Sequence, residues 1–319
     1  MFNRRVLLKG TGLFAGALGL GSVSTTSASA ATRLNAAAPT IQNLLLPVGP
    51  FVFYAITCGP TTGELVLCLH GFPEFKEAWI PVLESLGALG YYAVAVDQRG
   101  YSAGARPDSI ADYAIANLVS DIVGMAATLL TQTGNNTKFH LVGHDMGGSV
   151  TWAVAEQHPE LLISTTVLST PHKNAFAAAY NMSGNPQQAA SSYISVLQGS
   201  GGEAFMLANF YGSYGGVVPD ATLFVSRFQN DPGALTAALN WYRAENFTAE
   251  DGTVVTAPVT YIWGSQDPFL LKESAVNTAN FCSGPYQFVQ LPGHAHFLAD
   301  EVPQDIASLL QQQFAAKLT

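Results

Sequence analysis

Charge is scarce in this chain: Asp, Glu, Lys and Arg together make up only 11% of its 319 residues. The bases are the scarcer sign, 13 Lys and Arg against 22 acids, and no basic cluster follows the first ten residues. A formal charge of −9 with no basic face gives nucleic acid nothing to hold. Cysteine is nearly absent as well. Cys58, Cys68 and Cys282 lie at no metal-like spacing, and an odd number leaves at least one unpaired within the chain. Cys68 sits inside an apolar run, which predicts a buried thiol. The seven histidines likewise form no metal-ligand spacing, and neither a G-x-G-x-x-G turn after a strand nor a phosphate loop occurs. No internal repeat is visible, and no cofactor is implied.

Apolar residues are abundant, at 48%, so a large core is affordable for one α/β domain with an insertion. Residues 1–30 stand apart from that core. Arg4-Arg5, an apolar pair and Lys9 precede a Gly/Ala/Leu stretch ending in Ala28-Ser29-Ala30, the layout of an export signal of twin-arginine type. That stretch is short and glycine-rich for a membrane anchor. The expectation is export to the periplasm or beyond the cell, with no stable membrane span once the signal is removed. The signal holds three bases and no acid, so its loss makes the remaining chain more acidic. Sequons start at Asn135, Asn181 and Asn246, but a twin-arginine signal argues against glycosylation.

The stretch around which the rest is organised is Gly143-His144-Asp145-Met146-Gly147-Gly148, at the end of the apolar run 138–142. An apolar run reads as a buried strand, and the glycines permit a sharp turn into a helix, expected over 149–158. This is the layout of a nucleophile elbow, usually G-x-S-x-G, with aspartate in place of serine. A carboxylate nucleophile attacks carbon in a substrate that carries its own leaving group, and forms an ester.

Around the elbow, strands are expected at 41–47 and 51–57, joined as an edge hairpin, then at 64–69, 91–96 and 163–168. Helices are expected at 78–89 and 114–132. Alternating strands and helices imply a parallel sheet with right-handed crossovers. The alternation stops at 169–172. From there to about 251 the chain is rich in Ala, Gly, Ser, Asn and Tyr without strand character, which reads as an inserted helical cap. Strands return at 259–263 and 286–291, and a final amphipathic helix at 303–317. The fold class is therefore α/β: a mostly parallel eight-stranded sheet flanked by helices, with a cap. The organisation is 1–30 export signal, 31–170 first part of the core, 171–252 cap, and 253–319 second part of the core.

An aspartate nucleophile needs an oxyanion hole, a base for water, an acid to orient the base, and a group to activate the leaving oxygen. Backbone N–H groups of Met146 and of Phe72, in the turn His70-Gly71-Phe72-Pro73, are the candidates for the hole. Asp267 follows the strand 259–263 and would stand at the sheet's C-terminal edge, although an Asp before Pro is also a common cap. Gly293-His294-Ala295-His296 offers two histidines for the base. The order aspartate, aspartate, histidine is the hydrolase order. The other histidines, His140, His144, His158 and His172, are expected to pack, cap or shape turns, and for His172, which opens the cap, lining the pocket is the lesser reading.

Over residues 41–317 the sequence resembles the epoxide hydrolases of the α/β-hydrolase fold. His70-Gly71-Phe72-Pro73-Glu74 is similar to their HGFPE motif, residues 97–101 to their D-x-R-G-Y turn, and GHDMGG to their G-x-D-x-G-G elbow. The resemblance selects His296 as the base, because Glu301 and Pro303 follow it at the family's spacing. It also implies two cap tyrosines that hydrogen-bond the epoxide oxygen, Tyr193 and Tyr242, where ordinary packing is the other reading. The implied substrates are a small uncharged epoxide and water. Dehalogenases of the same fold are the near competitor, and a non-catalytic binding protein a more distant one. Met146 departs from the halide-holding tryptophan of haloalkane dehalogenases, and neither Met146 nor Val150 can replace the arginines of fluoroacetate dehalogenases.

Overall fold

The computed structural model describes residues 40–131, 134 and 137–316, so the proposed export signal at 1–30 and the sequon at Asn135 lie outside the described residues. Eight strands form one sheet in the order β1-β2-β4-β3-β5-β6-β7-β8. The edge hairpin is β1 (Gln42–Val48) and β2 (Phe51–Cys58), paired antiparallel, and β2 is also antiparallel to β4 (Tyr92–Asp97). All remaining pairings are parallel, through β3 (Leu65–Leu69), β5 (Phe139–His144), β6 (Leu162–Leu168), β7 (Val259–Gly264) and β8 (Tyr286–Leu291). β3, β4 and β5 are buried at every position, as expected of near-continuous apolar runs covered by helices on both faces.

Among the covering helices, α1 (Ile80–Ala88) packs on one face with the long C-terminal helix, and α2 (Ile115–Leu130) and α3 (Asp145–Gln157) on the other. Helix α3 begins at Asp145 itself, four residues earlier than the glycine-based expectation of 149. Gly147 and Gly148 are helical, not part of the turn. They are small because the helix start is pressed against the sheet: a Cβ on Gly147 would stand 2.5 Å from the His70 carbonyl oxygen and 2.6 Å from that of Leu69. The strain of the turn is carried instead by Asp145, which has φ +50°.

Between β6 and β7 the chain is helical: α4 (Lys173–Asn181), α5 (Pro186–Ala190), α6 (Tyr193–Gln198), α7 (Gly202–Ser213), α8 (Ala221–Asn230) and α9 (Pro232–Ala244). Their apolar residues join the main core: Phe210, Phe224, Phe228, Leu239 and Trp241 pack with Phe72, Phe75 and Tyr101 from the loops that follow β3 and β4. The described chain closes with α10 (Lys272–Asn277), α11 (Leu298–Glu301) and α12 (Pro303–Ala316). No helix among the described residues is long and apolar enough to cross a membrane.

Candidate active site

Asp145 stands where β5 ends and α3 begins, at the C-terminal edge of the sheet. Its left-handed backbone lifts the side chain off the helix path, while Gly71 leaves room for it. A Cβ on Gly71 would lie 2.5 Å from the Asp145 Cβ. The two carboxylate oxygens have different partners. Oδ1 accepts a hydrogen bond from the Phe72 N–H at 2.8 Å, and Oδ2 lies 3.4 Å from Nε2 of His296. Met146, next in the chain, has its N–H in the first turn of α3, where no intrahelical acceptor exists. The Phe72–Pro73 peptide bond in the opposing loop is cis.

His296 is buried after β8, and its Nδ1 is 2.8 Å from Oδ2 of Asp267. Asp267 is fixed in turn, because its Oδ1 accepts from the N–H groups of Phe269 at 2.8 Å and Leu270 at 3.0 Å. The turn-capping reading of this Asp and its role beside the imidazole thus coexist, one oxygen for each. With Nδ1 facing a carboxylate, Nδ1 carries a proton and Nε2 faces Asp145. Burial alone would lower the His296 pKa. The charge of Asp267 and the hydrogen bond with Asp145 outweigh it and raise the value to about 10. Burial works against the Asp145 carboxylate too, but the hydrogen bond and charge of His296 prevail and hold its pKa below the ordinary carboxylate value. The resting site is a carboxylate–imidazolium pair. His294 is two residues away but outside this cluster, partly exposed beside Glu301 at 3.4 Å.

Tyr193 opens α6 and Tyr242 lies in α9. Both line, with Asp145 and Met146, a cavity of about 190 Å³ between cap and core. Their ring centroids are 6.5 Å apart, and Tyr242 meets Phe72 edge-on at 5.4 Å. Among the described residues neither hydroxyl has a protein hydrogen-bond partner. Burial and the Asp145 charge raise both phenol pKa values, so both hydroxyls keep their protons and can donate. The cluster therefore contains Asp145, Asp267, His296, Tyr193, Tyr242 and the Phe72 N–H. A carboxylate that can attack and two phenols that can donate to a leaving oxygen line one cavity, with the His296 imidazole 3.4 Å from the carboxylate. No group of His, Cys, Asp and Glu fit to hold a metal is present among the described residues.

For the layer beneath, sequence reasoning gave His144 only a turn-shaping role and Glu74 only its place in a motif. His144 Nε2 donates to the His296 carbonyl oxygen at 2.9 Å, and Ser169 Oγ donates to the same oxygen at 2.6 Å. Nδ1 of His144 must then accept, and its partner at 2.9 Å is Oε2 of Glu74. Burial lowers the His144 pKa to about 4, so the ring is neutral, and burial raises the pKa of Glu74 and of its hydrogen-bonded neighbour Asp300. The available signal was Glu74 itself, three residues beyond Gly71 in a conspicuous motif. His172 does not line the cavity. It is buried, stacks on Phe281 at 4.8 Å, and accepts the Asn174 N–H as the cap of α4. His140 packs on Phe314 at 3.9 Å and pairs with Ser164, and His158 sits by Glu160 at the end of α3.

Comparison with known proteins places this geometry in a wider group. A family described as alpha/beta hydrolase fold matches residues 64–303. The AB hydrolase superfamily protein YfhM of Bacillus subtilis (strain 168) is 34% identical over 270 residues, covering 81% of this chain and 92% of its own. Epoxide hydrolase 2 of Caenorhabditis elegans is 30% identical over 275 residues, covering 80% and 75%. Among solved structures, epoxide hydrolase VrEH1 from Vigna radiata superposes with a TM-score of 0.72 at 26% identity, covering 86% of this chain and 98% of that one.

Proposed function

The chain belongs to the α/β-hydrolase fold family, with epoxide hydrolases among its relatives, and we propose that it hydrolyses epoxides to vicinal diols through an ester on Asp145. The observation that carries this reading is the unequal pairing of the two Asp145 oxygens, inside a cavity that also holds two unpaired phenols. Oδ1 already occupies the oxyanion site at the Phe72 N–H. Oδ2, which faces His296 Nε2 at 3.4 Å, is the nucleophile.

In the first step Oδ2 bonds to an oxirane carbon as the ring C–O bond breaks. Tyr193 and Tyr242 donate to the departing oxygen, and one of them gives it a proton. Ester formation removes the Asp145 charge, which is one of the two charges that hold the His296 pKa up. The imidazolium becomes a stronger acid, returns a proton to the phenolate, and is left neutral. It is then a base. Nε2 takes a proton from water, the hydroxide adds to Cγ of Asp145, and the oxyanion develops on Oδ1, with the Phe72 and Met146 N–H groups as its donors. Collapse breaks the bond between Cγ and the alkyl oxygen, and the added hydroxyl supplies the diol's proton. The starting carboxylate–imidazolium pair is restored, so protons balance over the cycle.

Small uncharged epoxides and water are the proposed substrates, with no cofactor in any step. Single-turnover hydrolysis of a styrene-oxide-type epoxide in oxygen-18 water tests the mechanism. The first diol should carry oxygen-16 while the label appears in the Asp145 peptide. Label entering the first diol directly would mean that water attacks the epoxide, and would overturn the assignment. The proposed export of residues 31–319 has a separate test: periplasmic or extracellular recovery that is lost when Arg4 and Arg5 are replaced by lysine.

A further inference from the structure

Resting on that reading, we infer that the far end of the same cavity selects the substrate's tail. The structure assigns the enzyme to elongated lipophilic epoxides whose remote end is uncharged or cationic, and against those ending in a carboxylate. The cavity follows one face of α3, from Asp145 and Met146 through Ser149, Val150 and Ala153 to Glu156 and Gln157. Eleven residues separate Asp145 from Glu156, about 16 Å at the helical rise. The middle is apolar, closed by Leu118, Phe176, Ile194 and Phe247. Burial falls along this path, from the enclosed Asp145 to the exposed Gln157 and Asp251. The Asp251 end is therefore the mouth.

Four charged side chains line that mouth: Glu156, Lys173, Glu245 and Asp251. Lys173 is the one cation among these lining residues, and it is already paired. Its Nζ pairs with Glu245 at 2.7 Å and Asp251 at 2.6 Å. Glu156 accepts from the Thr253 N–H at 3.2 Å, and His172 Nε2, which bonds the Thr253 carbonyl oxygen at 3.0 Å, lies 3.0 Å from its other oxygen. Two Asn174–Gly252 hydrogen bonds, at 2.8 and 2.9 Å, pin the 251–253 loop to the start of α4, so the arrangement is fixed and not a chance meeting of long side chains. Three carboxylates line the mouth with one ammonium, two of whose three N–H donors already serve Glu245 and Asp251, so negative charge is in excess there. A carboxylate tail would meet uncompensated negative charge where the solvent is partly excluded, which strengthens the repulsion relative to bulk water. An ester, alcohol or quaternary ammonium tail would not.

The test uses long-chain terminal epoxides that differ only at the far end: carboxylate, methyl ester and trimethylammonium. The expected kcat/KM for the carboxylate is roughly tenfold below that of the ester, an effect of the size expected for one partly screened charge contact. The gap should shrink as salt is raised. Replacing Glu245→Gln and Asp251→Asn together frees the Lys173 ammonium and should reverse the carboxylate-to-ester ratio. Equal rates for carboxylate and ester in the wild type, or a double variant with an unchanged ratio, would overturn the inference. Binding of the matching diols to Asp145→Asn, which requires no chemistry, separates the two levels. Tail discrimination in binding without turnover of any epoxide would refute the proposed function and keep the mouth. Turnover of the ester with indifferent binding would do the reverse.

Discussion

Replacing Asp267 by asparagine isolates the part of the site that sets the histidine's proton. The substitution is nearly isosteric, and the amide oxygen can keep the Phe269 and Leu270 N–H bonds that Oδ1 now accepts. What changes is the atom facing His296 Nδ1. An amide N–H there forces Nδ1 to accept, moves the ring proton to Nε2, and leaves the nitrogen that faces Asp145 unable to take a proton from water. The electrostatic loss can be bounded. The rise of the His296 pKa from an ordinary 6.5 to about 10 corresponds to roughly 5 kcal/mol of preference for the imidazolium, at 1.36 kcal/mol per tenfold. Asp267 and Asp145 share that preference, so removing one charge should forfeit about half, roughly 2–3 kcal/mol. Because the folded pKa is above the unfolded one, the stabilisation is complete below about pH 6.5 and lost as pH rises through about 10. Wild-type stability should therefore decline across that window, and the variant's should decline less. On the chemical side, a wrong tautomer costs about 10³–10⁴ in the water-dependent step. Ring opening needs only Oδ2 and the phenols, so it should survive and the alkyl-enzyme should accumulate. Histidine NMR titration, urea unfolding between pH 6 and 10, and stopped-flow with mass detection of the ester read the three effects. An unchanged His296 titration, or steady-state turnover within tenfold of wild type, would refute the reasoning.

Three further outcomes follow from the same geometry. Asp145→Asn should abolish diol formation while the protein stays folded, since the amide oxygen retains the Phe72 hydrogen bond, at a cost of roughly 2–3 kcal/mol for losing the second charge that holds up the His296 pKa; urea unfolding, and fresh protein assayed before any deamidation, check it. Tyr193→Phe and Tyr242→Phe should each slow burst-phase ester formation by roughly 10- to 100-fold, the worth of one hydrogen bond to a developing charge, with ester breakdown unaffected. Gly147→Ala should destabilise by about 2–3 kcal/mol, because its Cβ would sit 2.5 Å from the His70 carbonyl oxygen and the backbone, unlike a side chain, cannot swing aside; a thermal midpoint equal to wild type would contradict the packing.

The sheet was legible because its signal is local. All eight strands match their apolar runs to within a residue or two, since a strand buried on both faces, such as β3 or β5, needs an uninterrupted run. The start of α3 was misplaced for an equally physical reason. Gly147 and Gly148 carry two meanings, permission to turn and permission to approach, and propensity sees only the first. The cluster of Asp145, Asp267 and His296 could be read because each follows a strand, and parallel strands deliver their C-terminal ends to one edge.

Contacts set by tertiary closure left no comparable trace. Asp97 was visible only as the first residue of a D-x-R-G-Y turn. In the fold it is fully buried, where burial alone would raise its pKa, yet Arg227 and Lys76 hold it below the ordinary value. Arg227 comes from α8, 130 residues away, bonds Asp97 at 2.6 Å, and lies 3.7 Å over the Phe75 ring. On the neighbouring loop Arg106 forms a two-pronged pair with Asp231 of the cap, both bonds at 2.9 Å. These pairs clamp α8 and the start of α9, which carries Tyr242, against the loops that follow β3 and β4. A buried carboxylate with two cations is costly to break, because removing one partner strands the other charges. Arg227→Met should thus loosen the cap, raising KM and slowing ring opening together, although Arg227 lies outside the substrate cavity. A variant with normal ring opening would show that the apolar packing of Phe72, Phe228 and Tyr242 is sufficient to position the phenols, and that the arginine serves stability alone.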